Sequence, residues 1–594
     1  MATVNLKING KNVTAESGQT ILEAARNAGI AIPTLCYLKD INKSGACRVC
    51  LVEVKGARAL LSSCTTPVSE GMEVFTNSER AIRGRKNTVE LIMSNHNKNC
   101  LSCKRNQSCE LQRLCEEMGI RDNRFEGEHT RASFDNFSYG IVRDTSKCIL
   151  CGRCIETCKK IQGLGVLGFE NRGFKTIVSP IYDKSFADVN CMQCGQCVIN
   201  CPVGALTEKE HIDEVIAALN DPDKVVIVQT APAVRASLGE EFGMPVGSRV
   251  TGKMVTALKG CGFDRVYDTN FSADLTIMEE GTEFIQRVQN GGVLPMFTSC
   301  SPGWIRYIEF EYPDLLDHLS TCKSPHMMMG AILKTYWAEK HGVDPKDIYV
   351  VSIMPCIAKK SEIHLPENFT GDYPDVDAVL TTRECGRLIK MYGMDLSELE
   401  DSEFDQDLMG EYSGAAVIFG ATGGVMEAAL RTVAEVLEGK SFENVEYEAV
   451  RGLHGVKEAA LNIAGLEVRV AVASSMSEAK PLLDQVRAGT SPYHFIEVMG
   501  CPGGCINGGG QSIVPSKVKN KEGLDAYRAK RASALYEEDR ILPVRKSHEN
   551  TQIQQLYKDF LGEPGIALWA IIATDVWKGL SISVVIYIAG IQSI

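Results

Sequence analysis

Hydrophobic and polar positions change their period several times along the chain, and each change marks a new kind of element. The opening residues alternate, VNLKI and then KNVTAE about an Asn9-Gly10 pair, which predicts a two-stranded hairpin with a tight turn. TILEAARNAGI switches to helical spacing, as does ERAIRGRKNTVELIMSN further on. Beyond residue 224, short apolar runs (KVVIVQT, GGVLPMF, DIYVVSIM and YHFIEVM) stop at loops of small or polar residues. Helical stretches such as TGKMVTALKG and GVMEAALRTVAEVLEG separate them. Such alternation predicts an α/β domain with largely parallel strands. Three of these strands run into a cysteine: Cys300, Cys356 and Cys501. Ligands of open α/β sheets gather at the carboxyl ends of strands.

Composition sets the frame for those thiols. A chain of 594 residues is too long for one ordinary core, so several domains are expected. With 44% apolar and 23% charged residues it reads as a soluble globular protein, and a net charge of −12 disfavours nucleic acid as its partner. MATVNLKING lacks the basic-then-apolar pattern of a secretory leader, so a cytoplasmic location is expected. In a reducing compartment, 23 cysteines read as metal ligands or redox thiols rather than disulfides.

Spacing then selects the metal. Cys148-x2-Cys151-x2-Cys154-x3-Cys158 and Cys191-x2-Cys194-x2-Cys197-x3-Cys201-Pro202 are two copies of the run that wraps [4Fe–4S] clusters, the fourth cysteine of each serving the other cluster. One cluster is expected on Cys148, Cys151, Cys154 and Cys201, the other on Cys191, Cys194, Cys197 and Cys158. Zinc knuckles are the competing reading, but they pair two CxxC units across a longer gap. His96-x3-Cys100-x2-Cys103-x5-Cys109 could by itself hold either structural zinc or a His/Cys3-ligated [4Fe–4S] cluster. Between redox modules the cluster is the stronger reading, because zinc passes no electrons. Residues 1–78, a hairpin and a helix followed by Cys36, Cys47, Cys50 and Cys64, resemble a plant-type [2Fe–2S] ferredoxin with a β-grasp fold. The ten residues between the first two cysteines match the form built into larger redox enzymes.

TSCSPGW at 298–304, MPCIAKK at 354–360 and EVMGCPGGCINGGGQ at 497–511 resemble the three signature loops of the [FeFe]-hydrogenases. The resemblance extends along roughly residues 1–563, to the catalytic subunit of multimeric, NAD(P)-linked and often electron-bifurcating members. It implies reversible H2 oxidation and proton reduction at an H-cluster. That centre is a [4Fe–4S] cube on four cysteines, one of which bridges to a two-iron centre carrying CO, cyanide and an azadithiolate. By position Cys505 is the bridging thiolate, Cys356 and Cys501 are further cube ligands, and Lys359 hydrogen-bonds a cyanide. Glu280, Glu283, Ser320 and Arg287 match the family's proton path. From the residues alone, Glu280 and Glu283 share a helix face that would ordinarily be solvated surface.

Members usually carry two cysteines in the first loop. Here Cys300 matches the proton carrier and Ser301 the cube ligand. Since thiolate is the better ligand for such iron, Cys300 is expected as the fourth ligand, with Ser301 or water carrying protons. The alternative is Ser301 on the cube as alkoxide, with Cys300 keeping its proton role. Cys115, Cys261, Cys322 and Cys385 have no partner at ligand spacing and read as structural.

The expected organisation is multi-domain α+β. A [2Fe–2S] ferredoxin-like domain spans 1–78, a His/Cys3 domain 79–120, a two-cluster ferredoxin module 138–209 and the α/β catalytic domain 224–530. A small-subunit-like tail (531–564) and an atypical apolar tail (565–594) follow. Cofactors would be one [2Fe–2S], three accessory [4Fe–4S] and the H-cluster. No GxGxxG after a strand, no Walker loop and no flavin site are evident. NAD(P) chemistry is therefore expected from a flavin-bearing subunit, with small ferredoxin-like subunits and ferredoxin as further partners. The runner-up is an electron-transfer or cluster-assembly protein that keeps the fold. The apolar tail is long enough to span a bilayer, but Asp575 and Lys578 fall near its middle at ~2.5–3.5 kcal/mol each. It faintly resembles a sugar-permease segment, and reads first as foreign sequence joined to the chain and second as a membrane anchor.

Overall fold

The computed structural model describes residues 2–442, 445–453, 455–463 and 465–561; the apolar tail 565–594 lies outside the described residues. Among those described, no helix is long and apolar enough to cross a membrane. The chain forms two compact units. One comprises Met1–Val189, Gln196–Glu208 and Val514–Leu524, the other Asn190–Gly195, Lys209–Ile513 and the residues from Asp525 onward.

The first unit begins with a five-stranded sheet in the order Lys11–Glu16, Thr3–Ile8, Glu73–Phe75, Leu51–Val54, Leu61–Ser62. The expected hairpin pairs Ile8 with Lys11, and both turn residues are left-handed (Asn9 φ 52°, Gly10 φ 79°), as a two-residue primed turn requires. Helix Ile21–Asn27 starts with a capping box, Thr20 and Glu23 each satisfying the other's backbone N–H. Its apolar face, Ile21, Leu22, Ala24 and Ala25, packs on Leu6, Ile8, Val13 and Val74, which gives the β-grasp layer. Helices Glu79–Ser94 and Glu110–Glu117 follow. The next module pairs Ile141–Asp144 antiparallel with Leu206–Glu208 and carries the helices Arg153–Gln162 and Gln196–Asn200.

The second unit contains two four-stranded sheets rather than one continuous sheet. The first is all parallel, in the order Arg265–Asp268, Val225–Thr230, Ile348–Met354, Ala378–Thr381. The second runs Met296–Phe297, Phe495–Met499, Leu466–Ser474, Lys457–Ile463, with only the last pairing antiparallel. The central strands Val225–Thr230, Ile348–Met354 and Phe495–Met499 are buried on both faces and read as continuous apolar runs, whereas the edge strand Lys457–Ile463 alternates. The 21-residue helix Asn270–Asn290 and helix Gly424–Glu438 cover the second sheet's core. The tail helix Leu524–Ile541 starts before residue 531. It is fastened by buried ion pairs, Arg531 to Glu240 (2.7 Å), Arg235 to Glu538 (2.6 Å) and Arg431 to Asp539 (2.9 Å). Removing one partner of such a pair strands a buried charge and costs about 3–5 kcal/mol.

Candidate active site and electron-transfer centres

The second unit's cysteines stand where parallel strands end. Cys356 follows Ile348–Met354 of the first sheet, while Cys501 and Cys300 follow Phe495–Met499 and Met296–Phe297 of the second. Cys505 begins the short turn Cys505–Asn507. Glycine lets the loops interlock. A Cβ on Gly504, whose φ is 89°, would meet the Thr422 nitrogen at 2.6 Å, and one on Gly508 would lie 2.1 Å from the Pro355 carbonyl oxygen. The CPGGCINGGG loop is thereby set against MPCIAKK, with Cys505 beside Cys356. Burial pushes the Cys505 thiol up to about 12, and Cys356 adds to the effect. Burial likewise raises Cys356. Cys300 rises well above the ordinary thiol range through burial, then through Glu280 and Cys505. Ser301 turns the other way, its Oγ accepting the Gly500 N–H at 3.2 Å.

Lys359 lies over this group of thiols. Its Nζ donates to the Cys300 carbonyl at 3.1 Å and pairs with Glu362 at 2.8 Å. Burial works against the Glu362 carboxylate, but Lys359 and His326 outweigh it and hold the group at about 2. His326 Nε2 lies 2.6 Å from that carboxylate.

Glu280 and Glu283 do share one side of helix Asn270–Asn290, and neither is solvated surface. Glu280 accepts from the Ser299 backbone and hydroxyl, each at 3.3 Å. Burial first, and then Glu283, lift its carboxyl to about 7. Ser320 donates to Glu283 at 2.9 Å and also hydrogen-bonds Glu280. Arg287 closes the row, with Nη2 2.6 Å from Glu283. Cys300, Glu280, Ser320, Glu283 and Arg287 therefore stand in sequence, from the thiol cradle to a half-buried arginine. Sequence reasoning missed two neighbours of this row, Ser299 and Cys322, whose sulfur is 4.0 Å from Glu283, and one on the Lys359 side, His326. Nothing in their local spacing could have marked them; only Cys322's position two residues after Ser320 was a cue.

The first unit gathers its thiols similarly. Cys50 and Cys64 sulfurs are 3.3 Å apart, and Cys36 is hydrogen-bonded to Cys47 and Cys64. His96 is half-buried, with the Lys147 backbone hydrogen-bonded to its ring and its buried Nδ1 without a partner among the described residues, as a metal-ligating imidazole requires. Burial raises the Cys109 thiol, and Cys103 nearby adds to the effect. Cys148, Cys151, Cys154 and Cys201 line one small cavity. Burial raises Cys148 to about 12 and Cys154 well above its ordinary value. Cys158 and Cys197 lie on the helices Arg153–Gln162 and Gln196–Asn200; Cys191 and Cys194 belong to the residues Asn190–Gly195 of the second unit. Crowded buried thiols that are costly to ionise alone, together with an orphaned imidazole nitrogen, fit iron–sulfur clusters, because a bound cation reverses that cost.

Comparison with known proteins agrees with this arrangement. Residues 224–509 match the model described as iron only hydrogenase large subunit, C-terminal domain, and 525–567 the iron hydrogenase small subunit. Upstream, 1–79 match a 2Fe-2S iron-sulfur cluster binding domain, 85–124 the NADH-ubiquinone oxidoreductase-G iron-sulfur binding region and 142–211 a 4Fe-4S dicluster domain. The chain is 48% identical to the NADP-reducing hydrogenase subunit HndD of Solidesulfovibrio fructosivorans, over 95% of this chain and 97% of that one. It is 44% identical to iron hydrogenase 1 of Clostridium pasteurianum, over 94% and 97%. Cytosolic iron-sulfur assembly component 3 of Rattus norvegicus is more distant, at 34% over 69% of this chain and 89% of that one. A solved apo [FeFe]-hydrogenase variant from Chlamydomonas reinhardtii superposes with TM-score 0.53 at 40% identity, covering 61% of this chain and 98% of its own. Its modules, its strand-end thiols and these relatives together place the chain in the [FeFe]-hydrogenase family, as an iron hydrogenase that interconverts H2 with protons and electrons and relays those electrons through iron–sulfur clusters.

Proposed function

We propose that this chain is the H2-activating subunit of a hetero-oligomeric, NAD(P)-linked hydrogenase, with an H-cluster held by Cys356, Cys501 and Cys505 and completed from the TSCSPGW loop. The observation that carries the reading is the meeting of Cys300, Cys356 and Cys505 beside Lys359 and the Glu280 row, with Cys501 at the end of strand Phe495–Met499 in the same loop as Cys505. When bound, the cluster supplies the irons at which H2 is split. The chain's own part is to exclude water, hold Lys359 over the pocket by its Glu362 pair, and move protons. Protons would pass between the Cys300 thiol, Glu280, Ser320 and Glu283 and leave near Arg287. Electrons would pass through three accessory [4Fe–4S] centres and one [2Fe–2S].

The surroundings of the first loop favour Cys300 as proton carrier and Ser301 on the cube side, against the preference drawn from ligand softness. Cys300 feels Glu280 and Cys505, whereas the Ser301 hydroxyl meets the backbone next to Cys501. Cys300→Ala is therefore expected to keep cube iron, counted by metal analysis and electron paramagnetic resonance, while turnover falls by ~100-fold or more. Loss of the cube iron would make Cys300 the ligand instead.

The NADP-reducing relative is named as a subunit, which supports a multi-subunit, NADP-linked assembly. Flavin-bearing and small ferredoxin-like subunits, ferredoxin as a further acceptor and a cytoplasmic location are carried by the sequence. The purified, cofactor-matured single chain is expected to reduce a viologen with H2 but not NAD(P). Direct NAD(P) reduction would place the nucleotide chemistry in this chain. The assembly-protein relative keeps a second reading in view, but such a protein has no use for a bridging thiolate at Cys505. Infrared bands of iron-bound CO and cyanide distinguish the two.

A further inference from the structure

Among the iron–sulfur ligands of the first unit lies a cavity to which the hydrogenase reading gives no task. It encloses about 560 Å³, inside the ~300–1,000 Å³ range of sites for small organic molecules. Every lining residue belongs to the first unit. One wall is the loop of residues 29–34, which leads from helix Ile21–Asn27 to Cys36. Another is helix Glu110–Glu117, which begins directly after Cys109, and residues 516–521 supply a third.

The lining divides by polarity. Ile32 and Leu114 are buried and Ile30, Pro33 and Met118 half-buried, which gives an apolar floor. The acids on the wall are already occupied. Glu110 pairs with Arg153 at 3.0 Å and accepts from the Ser516 hydroxyl, and Glu117 pairs with Arg113 at 2.6 Å. Four further cations line the cavity: Arg26, Arg85, Lys517 and Lys521. Among the described residues, no carboxylate forms an ion pair with any of them. Glu23, the acid that Arg26 feels, is paired with Lys43 at 2.8 Å instead.

Arg26 gives Nη2 to the Thr34 hydroxyl at 3.2 Å and leaves Nη1 buried without a partner among the described residues. Arg85 donates to the Leu51 and Thr76 carbonyls, which neutralise no charge. Lys517 and Lys521 stand four residues apart on helix Ser516–Glu522, both exposed at the rim. Burial works against both guanidiniums. Unpaired cations against apolar surface are costly unless an anion joins them. A guanidinium fork with two ammonium groups suits a phosphate, and one carboxylate would leave most of the charge unmet. The floor then takes an apolar body attached to that phosphate. Arg26 and Arg85 also interact electrostatically with Cys50, so part of their charge serves the nearby thiolates. The two rim lysines have no such duty.

We propose that this cavity binds an organic phosphate of nucleotide size, and that its occupancy sets how readily the Cys36/Cys47/Cys50/Cys64 centre accepts an electron; the second part rests on reading that centre as a [2Fe–2S] cluster. Reduction adds one negative charge, which Arg26 and Arg85 stabilise. A bound phosphate claims those cations, so it binds the oxidised chain more tightly and, by reciprocity, makes reduction harder. A tenfold difference in affinity lowers a one-electron midpoint by about 59 mV.

The test uses the complete, cofactor-loaded chain with ATP as the probe and pyrophosphate and adenosine for comparison. Calorimetry should find saturable ATP binding, with pyrophosphate and adenosine each weaker by 10-fold or more. Lys517→Glu with Lys521→Glu, both exposed and remote from the thiols of the catalytic unit, should weaken ATP by 10-fold or more with H2–viologen turnover unchanged. In a redox titration followed by electron paramagnetic resonance, ATP should move the [2Fe–2S] midpoint about 59 mV more negative in the parent and not in the variant. No saturable ATP binding, an unchanged Kd in the variant, pyrophosphate or adenosine binding as tightly as ATP, or a midpoint that ATP does not move would each overturn the proposal. A parent without any [2Fe–2S] signal would instead count against the cluster reading, and calorimetry would still decide the site.

Discussion

Cys505→Ser is expected to leave the accessory clusters in place and to abolish H2 turnover altogether. The change is nearly isosteric, so the loop held by Gly504 and Gly508 should fold as before. What is lost is the soft, negatively charged sulfur; a neutral hydroxyl is a poor bridge between irons. The buried site also penalises an anion, since burial already pushes the Cys505 thiol up to about 12, and an alkoxide would fare worse. Infrared spectroscopy should find no CO and cyanide bands, and H2 uptake with viologen should be unmeasurable. Normal bands and normal uptake would remove Cys505 from the site.

Glu283→Gln comes second, with an expected fall of ~100-fold or more in both directions of turnover, because the amide keeps the shape of the side chain but cannot take up and release a proton. Glu280→Gln should do the same, and it carries a pH signature. Its carboxyl stands at about 7 against an ordinary value of 4.5, raised by burial and then by Glu283. The neutral form is the one the fold prefers. Its contribution to stability is fully present below about 4.5 and is lost as pH rises through about 7. Between those limits thermal unfolding of the apo chain should fall with pH in the parent relative to Glu280→Gln. Parallel curves would show that Glu280 titrates normally. Turnover unchanged in either variant would take the glutamates out of the mechanism.

What could be read in advance followed from how local each signal is. Cys148 to Cys158 and Cys191 to Cys201 announce their chemistry within eleven residues each, because a cluster needs ligands at short spacing. The Asn9-Gly10 turn and the Thr20–Glu23 cap are equally local. Glu280 and Glu283 are the opposite case: their helix was evident, but burial against Ser299 and Ser320 is a tertiary fact, and helical spacing alone favoured a solvated face. The division of the catalytic unit into two sheets was hidden for the same reason, since the central strands of both, Val225–Thr230, Ile348–Met354 and Phe495–Met499, are buried apolar runs of one type. The glycines of CPGGCINGGG forecast a close approach; that it is made to the Pro355 carbonyl had to be seen.

The two-sheet division has a mechanical consequence. Cys356 is delivered by one sheet and Cys501 by the other, so whatever binds both closes a loop of about 145 residues. Taking a disulfide of that span as a guide, such a link is worth on the order of 5 kcal/mol against the unfolded chain, comparable to the whole stability of many domains. A metal held by both cysteines would then also fasten the two sheets of the catalytic unit to each other. A chain stripped of it should melt earlier and over a broader range, its halves having lost the rivet that makes them unfold together.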